Sequence, residues 1–156
     1  RGLGDVYKRQ VLKNLHILDH DYYFKVVDGL LTENPTQPLL LFDEILRKGF
    51  DGQHFINGLS AHIRNLMVAR DERTIDLMEV PEKTRKQYLE QARAVPYSLL
   101  LSWLSIGSQC DIQYKASKNQ RLLVELALMK MAHVNSVIKR GAEPESSPDP
   151  GKKKVN

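Results

Sequence analysis

The chain has 156 residues, a length that supports one domain with tails and not two full domains. Hydrophobic residues at 42% and charged residues at 27% exclude a collagen-like, mucin-like or wholly disordered chain. The formal net charge is +4, but half of it lies in residues 1–10, so residues 11–140 carry only +2 and make no obvious polyanion binder.

The opening stretch, Arg1 to Gln10, has neither helical nor alternating periodicity, and no apolar core of a signal peptide follows its basic residues. It resembles a translated adapter scar, so the native protein is expected to extend upstream of Val11. From Val11 onward apolar residues recur at three and four. Val11, Leu12, Leu15 and Leu18 make a short first face. Asp19 or Asp21 can cap a helix carrying Tyr22, Tyr23, Val26, Val27 and Leu30, which Asn34-Pro35 closes. Pro38 opens the next, where its missing N–H costs nothing, with Leu39, Leu40, Phe42, Ile45 and Leu46 as its apolar set. Gly49 is the expected left-handed stop, and Asp51 caps a longer helix through Phe55, Ile56, Leu59, Ile63, Leu66 and Met67.

Pro81 starts a mostly charged helix to Ala94, and Pro96 starts the most apolar one, through Leu99, Leu100, Trp103, Leu104 and Ile106. The last helix runs from about Lys118 to Ile138 and is apolar on nearly all sides between Leu122 and Ala132. Such a helix lies at a bundle centre or also meets a partner, and the central position is the expected one. Glu125 interrupts that run and should pair with Arg121 one turn earlier. Residues 141–156, with three prolines, two glycines and two serines, read as a disordered linker. The fold class is therefore all-α: one helical bundle of about five to seven helices over residues 11–140.

Chemistry is sparse. There is no glycine-rich phosphate loop. His54 and His62 lie two turns apart, about 12 Å, too far to share a metal, and His16 with His20 lacks a third ligand. Ser60 and His62 point in different directions on one helix and make no nucleophile–base pair. Cys110, the lone cysteine, excludes a disulfide framework and a multi-cysteine zinc site; it reads as a packing residue in a reducing, cytoplasmic setting. No apolar run is long enough to span a membrane. The Tyr22-Tyr23-Phe24 cluster could stack on bases, but without a basic groove packing is the better reading. The segment 115–130 is locally basic, with Lys115, Lys118, Arg121 and Lys130 against Glu125, and Asn119-Gln120 add polar donors. Contact with an acidic partner surface or phosphates, and a solvated helix start with one internal salt bridge, stand level as its explanation.

Four stretches carry a resemblance. Leu18-Asp19-His20-Asp21-Tyr22-Tyr23-Phe24, Leu41-Phe42-Asp43-Glu44-Ile45-Leu46-Arg47-Lys48-Gly49-Phe50, Phe55-Ile56-Asn57-Gly58-Leu59, and the stretch from Tyr114 to Leu126 (Tyr-Lys-Ala-Ser-Lys-Asn-Gln-Arg-Leu-Leu-Val-Glu-Leu) resemble the third, helical domain of the gamma/tau subunit of bacterial DNA polymerase III, in the manner of its Bacteroidetes versions. The resemblance covers roughly Val11 to Val137. It implies a clamp-loader collar that oligomerises with other loader subunits: further copies of itself and the delta and delta-prime types. It implies no cofactor here, with ATP, Mg and Zn expected only in upstream domains, and no catalytic residue. Past the tail it implies helicase and polymerase as partners, and DNA only through the whole complex. The candidate subunit interface is Lys115, Lys118, Asn119, Gln120, Arg121 and Glu125. The competing class is a free-standing helical adaptor that binds DNA or a protein directly; the small charge of the body argues against direct DNA binding.

Overall fold

The computed structural model describes residues 20–142, with side chains described for 20–138. The opening decapeptide, the face at Val11, Leu12, Leu15 and Leu18, and residues 143–156 of the expected tail lie outside the described residues; Gly141 and Ala142 belong to the last helix. Six α-helices and one 3-10 turn make up the architecture, with no strand among the described residues: α1 (His20–Leu31), α2 (Thr36–Arg47), α3 (Gly52–Ala69), the 3-10 turn (Ile75–Leu77), α4 (Glu82–Ala94), α5 (Tyr97–Tyr114) and α6 (Gln120–Ala142). The all-α bundle expected from the apolar spacing is what the chain forms.

The punctuation works as its chemistry demands. Asp51 accepts the His54 backbone N–H at 2.7 Å and so caps α3. Gly49, at φ +100°, takes the left-handed turn between α2 and α3 that a side chain would strain. Pro81 and Pro96 stand immediately ahead of α4 and α5. At α2 the helix begins two residues before Pro38. Asn34 Oδ1 accepts the Thr36 N–H at 3.0 Å, and Leu39 N–H donates to Pro35 at 2.9 Å, so Pro38 falls in the first turn where N–H groups have no helical partner anyway. Of its expected apolar set, Phe42 and Ile45 are buried and Leu39 and Leu46 pack against the core, while Leu40 is misplaced. Leu40 is 62% exposed and Leu41, at 7%, takes the core position.

The centre of the bundle is α3, which touches every other helix and the 3-10 turn. Its face of Phe55, Ile56, Leu59, Ile63 and Leu66 is wholly buried, against Val26, Val27 and Leu30 of α1, Phe42 and Ile45 of α2, and Leu99, Leu100 and Trp103 of α5. Burying each such side chain is worth about 1.5–3 kcal/mol, so this shared core is the main source of stability. Helix α5 packs most heavily on α3 and runs back along it: Gln53 near the start of α3 donates to Asp111 near the end of α5 at 3.2 Å.

The last helix is not central. It lies across α5 and α1, burying Val124, Ala127, Leu128, Met131 and Ala132 on one side only. Two polar anchors fix it. Trp103 Nε1 donates to the Met131 carbonyl at 2.9 Å. The buried Asn135 amide donates to the Leu31 and Leu30 carbonyls at 2.9 and 3.2 Å, satisfying the last turn of α1. One buried stripe, with Leu123, Val134 and Ile138 packed at its edges, is enough to hold a surface helix, and Leu122, Leu126, Met129 and Val137 stay exposed.

Candidate assembly surface

The turn from α5 to α6 is built by side chains folding back on backbone. Ser117 N–H donates to the Tyr114 carbonyl at 3.2 Å, and Gln120 Nε2 donates to the same oxygen at 3.0 Å. Asn119 Oδ1 accepts the Leu122 N–H at 3.0 Å, which makes Asn119 the cap of α6. Two of the polar residues expected to contact a partner, Asn119 and Gln120, thus have a local structural use while remaining exposed.

Arg121 has one as well. Its Nε donates to Glu125 Oε2 at 2.9 Å, the pairing expected one turn along, and its Nη2 reaches Asp43 of α2 at 3.0 Å. Asp43 is shared with Arg47 at 2.7 Å. The Glu125 and Asp43 carboxylates hold the Arg121 guanidinium further on its charged side. Lys115 and Lys118 are exposed and, with Lys130, make no ion pair among the described residues.

Beside these cations runs an apolar stripe that the reading of the sequence did not single out as a surface. Leu122 (52% exposed), Leu126 (42%) and Met129 (38%) recur at four and three residues along the outer face of α6. Leu126 also lines a groove of about 160 Å³ between α5 and α6 with Ile106, Leu123 and Ala127. The signal was present as the run of apolar residues on nearly all sides of this helix. The structure places those on the inner side in the core and leaves the outer ones exposed among the described residues. The six sequence candidates and this stripe come together at one end of α6, around its first three turns.

Elsewhere the polar groups are absorbed by packing. His62 is buried, and its Nε2 meets Gln91 Oε1 at 2.8 Å; Gln91 in turn donates to the Phe24 carbonyl at 2.9 Å and to Asp28 at 2.8 Å. Burial pushes the imidazole down to about 4, so it is neutral at ordinary pH. Tyr23 and Phe24 are buried against His62, and Tyr22 donates to Glu44 at 2.8 Å, so no face of that cluster is laid out for bases. Cys110 is buried, and burial first, then the Asp111 charge, raises its thiol to about 11, far from a reactive thiolate. His20, Tyr23, His54, His62 and Tyr88 line a cleft of about 380 Å³ between α1, α3 and α4. Among the described residues no group of three or more His, Cys, Asp or Glu is arranged to hold a metal ion, and no helix is long and apolar enough to cross a membrane.

The family model for domain III of the DNA polymerase III gamma and tau subunits matches residues 6–145, nearly the whole chain. The chain belongs to this family. A gamma/tau domain III is a part of a clamp-loader subunit, and the replication machinery is therefore the setting in which the α6 surface has to be understood. No curated protein matches the chain.

Proposed function

We propose that this gamma/tau domain III is an assembly domain: it holds clamp-loader subunits to one another and contributes no catalytic group of its own. The observation that carries the proposal is the outer stripe of α6, Leu122, Leu126 and Met129, flanked by Lys115 and Lys118, which make no ion pair among the described residues. A contact of this kind combines an apolar centre, which supplies affinity, with a charged rim, which supplies orientation and rate. Lys115, Lys118, Asn119, Gln120, Arg121 and Glu125 form the polar edge of the contact. In it, Arg121 and Glu125 act as a preformed pair tied to α2 through Asp43.

The partners are other clamp-loader subunits, meaning further copies and the delta and delta-prime types, and the place of work is the cytoplasm. ATP, Mg and Zn belong to upstream domains of the parent ATPase. The residues after Ala142 lead toward helicase and polymerase contacts, and DNA is met through the whole complex. Sedimentation of the chain alone and mixed with delta and delta-prime subunits tests this. Association that survives competitor DNA is expected. A chain that stays monomeric with all of these subunits and instead binds duplex or single-stranded DNA with a steep salt slope would establish the direct DNA-binding adaptor.

A further inference from the structure

Helix α4 is seated differently from its neighbours. Of its 13 residues only Tyr88, Gln91 and Ala92 are buried, whereas α3 puts Phe55, Ile56, Leu59, Ile63 and Leu66 wholly inside. Among the described helices α4 packs closely on α3 alone. It reaches α1 through two side chains: Tyr88, whose hydroxyl meets His20 Nδ1 at 3.2 Å, and Gln91. Clefts also undercut it. One of about 740 Å³ lies between α4, the end of α3 and the 3-10 turn, and the cleft of about 380 Å³ opens at Tyr88. A third, of about 310 Å³, lies against α1 between Phe24, Asp28, Gln87 and Glu90. A helix with few buried contacts and open flanks opens at less cost than the core does.

The two ends of α4 are built as joints. Pro81 and Pro96 stand directly before α4 and α5, and neither has an N–H to bond back across its junction. Met78 and Val95, one on each side of the helix, are buried and anchor the chain to the core. Arg70 Nη1 spans the second joint, donating to the Ala92 carbonyl at 2.8 Å and to the Val95 carbonyl at 2.6 Å. Losing the first bond frees the helix, while the second keeps the joint in place.

Beneath α4 lies His62, 2% exposed. Gln91 Oε1 stands 2.8 Å from its Nε2, and the Tyr88 ring centre lies 4.9 Å from its own. The other titratable groups turned toward it are Tyr23 and His20 of α1. Asp28 of α1 reaches it only through Gln91, and Arg64 of α3 stands by Tyr88. Among the described residues no carboxylate bonds the ring.

We propose that α4 is a lid: residues 79–94 swing off α3 as one unit about the two proline joints, and proton uptake by the uncovered His62 holds them open. The shared core of α1, α2, α3 and α5 keeps its contacts when α4 leaves. The inference stands apart from the assembly reading and needs no partner. In the closed form burial lowers the pKa of His62 to about 4, against the hydrogen bond to Gln91 and with the help of His20. In the open form the imidazole returns toward the ordinary 6.5, so the open form takes the proton first. Opening is therefore expected to become about twentyfold more populated between pH 7 and pH 5.

Hydrogen exchange of the unaltered chain, resolved by NMR and corrected for intrinsic rates, is the test. Amides from Tyr88 to Ala94 are expected to share one opening, populated at least about tenfold more than that of α3 and α5. That shared opening should show the rise of about twentyfold toward pH 5. In His62→Leu the rise should vanish while α4 still opens as a unit. Protection of α4 equal to that of α3 would overturn the lid, because both would then open only with the whole domain. Exchange that creeps inward from the helix ends would overturn it too, since fraying needs no joint. A common opening indifferent to pH would show that His62 stays covered, and the coupling would fall.

Discussion

His62 Nε2 sits 2.8 Å from Gln91 Oε1, inside a wall of aromatic rings where neither side chain meets solvent. Gln91 spends both its amide hydrogens on the Phe24 carbonyl and on Asp28, which fixes its oxygen toward the histidine and makes Nε2 the protonated nitrogen of a neutral imidazole. Three helices, α1, α3 and α4, are tied at this one amide. Gln91→Leu leaves the histidine N–H without an acceptor in the core and takes a donor from Asp28, so a loss of about 2–4 kcal/mol is expected in urea unfolding.

The same pair makes stability depend on pH. Burial lowers the folded-state pKa of His62 to about 4, below the ordinary 6.5, so between these values the unfolded chain binds a proton that the folded chain refuses. The contribution of His62 is whole above pH 6.5 and is lost as pH falls toward 4, on the order of 3 kcal/mol over the full window. Unfolding midpoints measured from pH 7 to pH 4 should fall in the native chain. The slope should flatten by one proton in His62→Leu, whatever that substitution does to stability at neutral pH. An unchanged slope would show that the imidazole is solvated.

Tyr23 contributes differently. Its hydroxyl is buried with no hydrogen-bond partner among the described residues, and burial, followed by the neighbouring Tyr88, raises its pKa. A Cβ at Gly58 would lie 2.0 Å from that oxygen. Gly58→Ala is therefore expected to cost about 1–3 kcal/mol through overpacking. Tyr23→Phe, which removes an unsatisfied oxygen and keeps the ring, should be neutral or stabilising by up to about 1 kcal/mol. The two are coupled: in the double variant the cost of Gly58→Ala should shrink, though not vanish, because the ring carbon behind the oxygen is itself 2.5 Å away. A double-mutant cycle by thermal unfolding measures this.

What could be read from the sequence was whatever is decided within one turn of helix. Asp51, Gly49, Pro81 and Pro96 mark ends because their own backbone chemistry forces them to, and the apolar spacing of α3 needs no partner to be recognised. Leu40 and Leu41 could not be told apart, since both neighbour the buried Phe42 in a run of three leucines and only the packing on α1 chooses between them. The His62–Gln91–Asp28 network joins positions 29 and 63 residues apart and leaves no local pattern. At the proposed assembly surface the cations were legible, but the apolar residues beside them were not. Core and interface use the same side chains, and α6 was therefore expected at the centre of the bundle.

That distinction between core and surface on α6 gives the sharpest separation of folding from assembly. Val124 and Leu128 are fully buried, whereas Leu122, Leu126 and Met129 on the same helix are exposed. Leu128→Ser deletes core contact and buries a hydroxyl, and a loss of about 3–5 kcal/mol is expected, visible as a collapse of the unfolding midpoint. L122S/L126S/M129S truncates three side chains that are each about half exposed, so circular dichroism should be kept and the unfolding midpoint of the monomer should fall less than in Leu128→Ser. Sedimentation is where this triple variant should fail, because the apolar centre of the contact is gone while its charged rim is untouched. Assembly that persisted in the triple variant would move the contact off α6. A folding defect as large as that of Leu128→Ser would instead mean that the stripe belongs to the core of the monomer.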